Sequence, residues 1–262
     1  MIIIPKNYVS PYGIMDTERA IKLIKDTFET TLARALHLTR ISAPLFVKRA
    51  TGLNDDLNGV ERPVSFEMKD AEGQTIEIIH SLAKWKRLAL KRYGISLHEG
   101  IYTDMNAIRR DEILDNTHSI YVDQWDWEKV IAPTDRTLAY LQQTVNQLYN
   151  AFLETEAALV AHYPKCKAFL PKEVTFISSQ ELEDRYPTLS PQKREEVFAK
   201  EKGAIFITQI GKTLRSGKKH DNRAPDYDDW ELNGDLILWN PVLDSALELS
   251  SMGIRVDEKS LA

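Results

Sequence analysis

One uninterrupted helical stripe does most to limit the folds open to this chain. Between Pro133 or Thr134 and His162, apolar side chains fall at Leu138, Leu141, Val145, Leu148, Phe152 and Leu159, lining one side of a helix that Pro164 stops just beyond. Strand-like runs stand on both sides of it, at residues 43–48, 64–68, 75–79, 100–107 and 118–126 before, and at 174–177, 204–208 and 236–239 after. A second helix is expected from about Asp16 to Leu36, where Ile21, Ile24, Phe28 and Leu32 share a face and Asp16 or Thr17 caps the start. Shorter helices are expected at 81–93, stopped by Gly94, at 179–186 and at 191–202. Residues 51–59 and 70–74 carry turn chemistry, 211–233 is polar, loop-like and charged, and a last segment through 249–256 closes the chain. The strands do not alternate strictly with helices, so the expectation is an α+β fold, a mostly antiparallel mixed sheet flanked by helices. No linker-like stretch interrupts it, which points to one domain over residues 1–262.

Composition narrows the function. With 43% hydrophobic and 28% charged residues the chain can bury a real core. A net charge of −5 argues against a general nucleic-acid binder, which needs a basic face to neutralise phosphates. The single cysteine, Cys166, excludes internal disulfides and Cys-rich zinc sites, and it reads as a passive thiol. The six histidines show neither HxxxH nor HExxH spacing. Gly211-Lys212-Thr213 imitates the end of a phosphate-binding loop, but Phe206 stands where the earlier glycine belongs. The apolar start stops at Pro5-Lys6, and no run approaches the ~20 apolar residues of a membrane helix. A soluble, cytoplasmic protein that binds no membrane is expected.

Several residues are candidates for chemistry. Lys86 has apolar neighbours at Leu82, Ala83, Ala89 and Leu90, so on the core side of its helix it must snorkel or meet an anion. Strand alternation puts Gln124 and Asp126 in one row with Ile120 and Val122, either as a strand end emerging into solvent or as a polar pocket wall. Asp226, Asp228 and Asp229 cluster in a segment punctuated by Pro225, Tyr227 and Trp230, which suits packing, and such carboxylates suit Mg²⁺ or an ammonium. Asp235 heads a strand row with Ile237 and Trp239. Glu248 and Arg255 are seven apart, on opposite faces of a regular strand, unless a bulge intervenes, with Gly253 as the candidate.

Taken together, GLNDDLNG (52–59), HSLAKWKR (80–87), GIYTDMNAIR (100–109), HSIYVDQWDWE (118–128), SQELEDRYP (179–187), RAPDYDDW (223–230) and LNGDLILWNPVLDSALELSSMGIRV (232–256) resemble the ammonia-dependent asparagine synthetases, or aspartate–ammonia ligases. Blocks such as YVDQWDW and RAPDYDDW are highly specific, and the pieces run in order through nearly the whole chain. That family is similar to the class II aminoacyl-tRNA synthetase catalytic core. The resemblance implies a homodimeric ligase of asparagine biosynthesis that amidates L-aspartate with ammonia and ATP through a β-aspartyl-adenylate, giving asparagine, AMP and pyrophosphate. It implies Asp55, Lys86, Arg109 and Asp228 as catalytic residues, with Gln124, Asp126, Ser251 and Arg255 on the substrate. Arg109, Asp235 and Glu248 would serve ATP, the last two through Mg²⁺.

One departure stands out. The family continues to a glycine-rich motif like GGGIGQSR whose arginine grips ATP, whereas this sequence stops at Ala262. The expectation is therefore a catalytic-type domain lacking the C-terminal strand and helix of the family. The alternative to the ligase is a truncated, inactive paralogue that binds aspartate, asparagine or nucleotide.

Overall fold

The computed structural model describes residues 2–55, 57, 61–223 and 226–260. Part of the 52–59 turn and Ala224-Pro225 of the 223–230 block lie outside the described residues. In chain order the elements begin with helix α1 (Ile14–Leu36) and strands β1 (Leu38–Arg40), β2 (Phe46–Lys48), β3 (Ser65–Phe66) and β4 (Ile76–Ile78). Helix α2 (Ala83–Arg92), the long strands β5 (Gly100–Ile108) and β6 (Tyr121–Lys129), and helix α3 (Leu138–His162) follow. The remainder is β7 (Thr175–Ser178), α4 (Ser179–Arg185), α5 (Pro191–Lys202), β8 (Ala204–Thr208), β9 (Asp228–Asn240) and β10 (Ser245–Arg255).

The chain forms two compact units, one of Met1–Ile3 with Leu36–Ala132, the other of Ile4–Ala35 with Pro133–Ala262. In the first, β5 pairs parallel with β1 and antiparallel with β6, while β4 lies between β2 and β3. The expected pairing of the 64–68 and 75–79 runs is found, Ser65 opposite Glu77. Ile79, Leu82, Met105 and Ala107 form the core here, with Val47, Trp85 and Val122 packed against it. In the second unit the order is β10-β9-β8-β7, antiparallel except for β7 with β8. Parallel neighbours need a crossover connection, and α4 and α5 supply it. Leu182, Phe198, Ile205, Ile207 and Ile237 close the core between those helices and the sheet. Helices α1 and α3 meet through Phe28 and Phe152, their ring centroids 4.6 Å apart.

Local chemistry sets the boundaries. The long helix starts later than Pro133 or Thr134 because Thr137 adopts an extended backbone and its side chain accepts the Tyr140 N–H. Ser178 and Glu181 form a capping box, and Ser190 with Pro191 opens α5 at its expected start. Strand β6 begins three residues after His118, because the Asp115 carboxylate accepts the backbone N–H groups of Thr117 and His118 at 2.7 and 2.8 Å and folds that stretch into a turn. The strand therefore runs on past Asp126 to Lys129 instead of ending there. The polar 211–233 stretch is corrected too: from Asp228 onward it is strand β9, where Asp228 pairs with Arg255 of β10 and Asp229 with Arg136.

Strand β8 passes so near Gly234 that a Cβ there would sit 2.4 Å from the Ile207 carbonyl oxygen and 2.5 Å from the Phe206 ring. Gly234→Ala is expected to destabilise the fold by about 1–3 kcal/mol, read as a lower urea midpoint with an unchanged slope.

Candidate active site

In the first unit the register of β5 and β6 gathers several of the expected residues on one face. Met105 pairs with Gln124 and Thr103 with Asp126, so Gln124, Asp126 and Glu128 share a face with the odd-numbered residues of β5. Arg109 continues that row past the strand end, its N–H donating to the Ile120 carbonyl at 2.8 Å. Its guanidinium is half-buried and the Nε, shut off from solvent, has no hydrogen-bond partner, as a donor awaiting an anionic ligand would be. Lys86 reaches the same face from α2. At 4% exposure its Nζ contacts Asp126, donates to the Trp127 carbonyl at 2.9 Å and lies 3.5 Å from Glu128. Lys86 therefore meets an anion, as its apolar helix neighbours required, and it meets two. Gln124 is exposed and Asp126 half-buried, a polar row on a continuing strand rather than a strand end.

Asp55 belongs to the same unit. It is buried at 3% exposure, its backbone N–H donates to the Asn54 side-chain oxygen at 3.1 Å, and its carboxylate accepts from the Leu57 N–H at 3.2 Å. Leu57 takes a left-handed φ of 52° to make that turn, a conformation costly for a branched side chain and common where a loop is shaped for function.

In the second unit the hairpin β9–β10 carries the rest. Glu248 pairs with Ile237, Ser250 with Leu236 and Ser251 with Asp235, so Leu249 is one extra residue in β10. This bulge puts Glu248, Ser251 and Asp235 on one face. A further irregularity falls between Gly253 and Arg255, where β9 skips from Asn233 to Asp228. The bulge in this strand thus falls at Leu249 and not at the expected Gly253, where the extra residues lie on the partner strand.

Asp235 is 5% exposed. Burial, and then the nearby Glu248, push its carboxyl well above the usual carboxylate range, against the opposing pull of Arg223. Arg223 forms an ion pair with Asp235, donates to the Ser251 hydroxyl at 2.8 Å and lies 3.1 Å from Asp221. Arg255 donates to Asp228 at 2.7 Å, and its guanidinium lies 5.5 Å from the Tyr227 ring centroid. Arg136 holds the Arg255 carbonyl oxygen and the Asp229 carboxylate, the latter at 2.7 Å. The acidic cluster expected to suit a cation is therefore divided, Asp228 and Asp229 each facing its own arginine.

The pair Asp235 and Glu248 fits a magnesium ion carried in on a nucleotide. Both donors are hard oxygens, Mg²⁺ commonly uses one or two carboxylates beside water and phosphate, and the buried Asp235 Oδ1 has no hydrogen-bond partner. Among the described residues no cluster of three or more metal-binding side chains occurs, so a resident all-protein cage is not what they build. Sequence reasoning missed Glu128, Arg223 and Arg136. Glu128 was legible as the next even position after Asp126, once the strand is carried to Lys129. Arg223 and Arg136 gave no signal beyond their charge.

A carboxyl raised in the folded chain binds its proton more tightly there than in the unfolded chain. Its ionisation therefore costs stability as pH rises from the ordinary carboxylate range through the folded value. Arg223→Gln removes the counter-charge, and its melting temperature is expected to fall further below wild type as pH rises above about 4. Breaking the buried Lys86 pair with Lys86→Met is expected to cost about 3–5 kcal/mol in chemical denaturation, because it takes the cation away from the Asp126 carboxylate.

The sequence matches the family model described as aspartate–ammonia ligase over residues 15–262. It is 60% identical over 260 residues to the aspartate–ammonia ligase of Clostridium tetani, covering 99% of this chain and 76% of that one. It is 59% identical over 261 residues to the aspartate–ammonia ligase of Lactobacillus johnsonii, covering 99% and 78%. Among solved structures, the asparaginyl-tRNA synthetase of Entamoeba histolytica aligns with a TM-score of 0.59 at 12% identity, over 99% of this chain and 60% of that chain. The asparaginyl-tRNA synthetase of Pyrococcus horikoshii complexed with asparaginyl-adenylate aligns with a TM-score of 0.55 at 13% identity, over 84% and 51%. This chain spans less than two thirds of either synthetase, and at such identity the likeness speaks for the fold alone, the α+β architecture of class II synthetases. No described helix is long and apolar enough to cross a membrane. By sequence along nearly its whole length, the chain belongs to the aspartate–ammonia ligase family.

Proposed function

We propose that the protein makes asparagine from L-aspartate and ammonia at the expense of ATP, as a cytoplasmic homodimer. The observation that carries the reading is 60% identity to a protein named for that reaction along 99% of the chain. The placement of the charged side chains supports it.

Two steps are needed. In the first, a β-carboxylate oxygen of aspartate attacks the α-phosphorus of ATP, and the bond to pyrophosphate breaks with its electron pair. Negative charge builds on the phosphate oxygens, and a fixed cation lowers that barrier. We assign Arg109 to the α-phosphate, its buried Nε being a donor with nothing yet to hold. Asp235 and Glu248 would hold Mg²⁺, which supplies charge neutralisation on the polyphosphate. Gln124 and Asp126 present polar groups toward aspartate, Lys86 fixing Asp126 in place. Arg255 offers a planar fork for a substrate carboxylate, and Ser251 lies beside Asp235.

In the second step ammonia attacks the β-acyl carbon, and the carbon–oxygen bond to AMP breaks, its pair leaving with AMP. Ammonia is mostly ammonium at neutral pH, so a carboxylate is needed to hold the cation and take up a proton as it reacts. Asp55, buried at 3% exposure, and Asp228 are the two candidates for that role.

Purified protein given ATP, Mg²⁺ and aspartate is expected to exchange labelled pyrophosphate into ATP, and on addition of ammonium to release asparagine and AMP in equal amounts. Absence of both would leave the non-catalytic paralogue. Arg255→Lys keeps the charge and loses the fork, and its kcat/KM for aspartate is expected to fall roughly 10²-fold with little change in circular dichroism.

A further inference from the structure

His80 is the least satisfied buried side chain of the first unit. It is 1% exposed, and neither ring nitrogen has a hydrogen-bond partner although both are sealed from solvent. A neutral imidazole carries one donor and one acceptor, and leaving such groups buried and unmade costs about 1–3 kcal/mol each. The protein's other deeply buried histidine, His220, does not leave both empty: its Nε2 lies 2.8 Å from Glu195.

The surroundings of His80 are built rather than accidental. Asn54 is buried, and its side-chain oxygen accepts the backbone N–H of His80 at 2.9 Å and that of Asp55 at 3.1 Å. Its amide nitrogen donates to Glu77 at 3.1 Å and to the Ile78 carbonyl at 3.3 Å, and Glu77 is in turn paired with Arg49. One amide thus ties the loop that carries Asp55 to the segment just past β4, holding the backbones of two buried titratable residues through a single oxygen. On either side of His80 in the chain, Ile79 at 1% and Leu82 at 0% exposure belong to the apolar core. A ring sealed from solvent at 1% exposure admits no large ligand, and a small polar one would satisfy its nitrogens.

We infer that His80 and Asp55 together form the ammonium site, with Asn54 as the residue that positions both; this rests on the ligase reading above. Ammonium is water-sized, carries four donors, and is preferred over water where an anion stands close. The unprotonated ring nitrogen of His80 accepts one N–H and then the proton itself, becoming imidazolium. The ammonia so formed keeps its lone pair and bonds to the β-acyl carbon as AMP departs with the electrons of the broken carbon–oxygen bond. The new nitrogen loses its surplus proton to Asp55.

The test separates the two half-reactions and the two kinds of nucleophile. Hydroxylamine, uncharged at neutral pH, needs no prior deprotonation. In His80→Ala, aspartate-dependent ATP–pyrophosphate exchange and hydroxamate formation from hydroxylamine are expected to stay near wild type. Asparagine formation from ammonium is expected to fall roughly 10²–10⁴-fold. Undiminished asparagine formation would overturn the assignment. So would a parallel loss of all three activities, the mark of a purely structural histidine. Should the alanine variant not fold, the same three readouts on His80→Gln decide, with a raised KM for ammonium alone as the supporting result. If the wild-type protein itself shows no exchange, the ligase reading fails and takes this inference with it, a result distinct from any obtained with the variants.

Discussion

A lysine ammonium cannot stay charged at 4% exposure without anions to meet it, and much of the first unit is arranged around that demand. Helix α2 presents Lys86 on its apolar side, and β6 answers with Asp126 and Glu128 two positions apart on a single face. The pleat that supplies those carboxylates also aligns Gln124, and the partner strand brings Arg109 into the same row. The fold thus holds these charged groups in fixed positions. Pre-arranged charge of this kind lowers a reaction barrier most effectively, because little has to reorient when new charge develops.

The second unit meets a similar demand in the opposite sense. Asp235 and Glu248 bring two negative charges near each other where one of them is buried, and Arg223 bears the burden of reconciling them. Asp228 and Asp229 each lean on an arginine of their own. A divalent cation arriving on a polyphosphate would do for Asp235 and Glu248 what Arg223 does now.

Most of the architecture was legible from periodicity and caps. Residues 191–202 and 204–208 fall where the pattern put them, because Ser190-Pro191 and a continuous apolar run leave little choice. The errors at the start of β9 and the end of β6 share one cause. Hydrophobic alternation marks a strand only where one face is apolar, and β9 begins with charged residues that are buried through ion pairs, so 228–233 read as loop. The same blindness cut β6 at Asp126 and hid Glu128. Within the candidate site, Lys86 was visible because a cation among apolar neighbours violates a rule, and His80 was not, because nothing in a sequence says that an imidazole will be left without partners. The specific blocks of residues pointed to the family; the pairings inside each unit came only from the backbone.

The single additional residue at Leu249 has a consequence for how this hairpin can vary. Because side chains alternate sides, drawing Leu249 into the regular ladder would turn Ser251 and every residue after it, Arg255 included, through to the other surface of the sheet while Glu248 stayed behind. What is held here is a pattern rather than a length: the odd residue between Glu248 and Ser251 stays out of the ladder, and that keeps a carboxylate and a hydroxyl facing the same way.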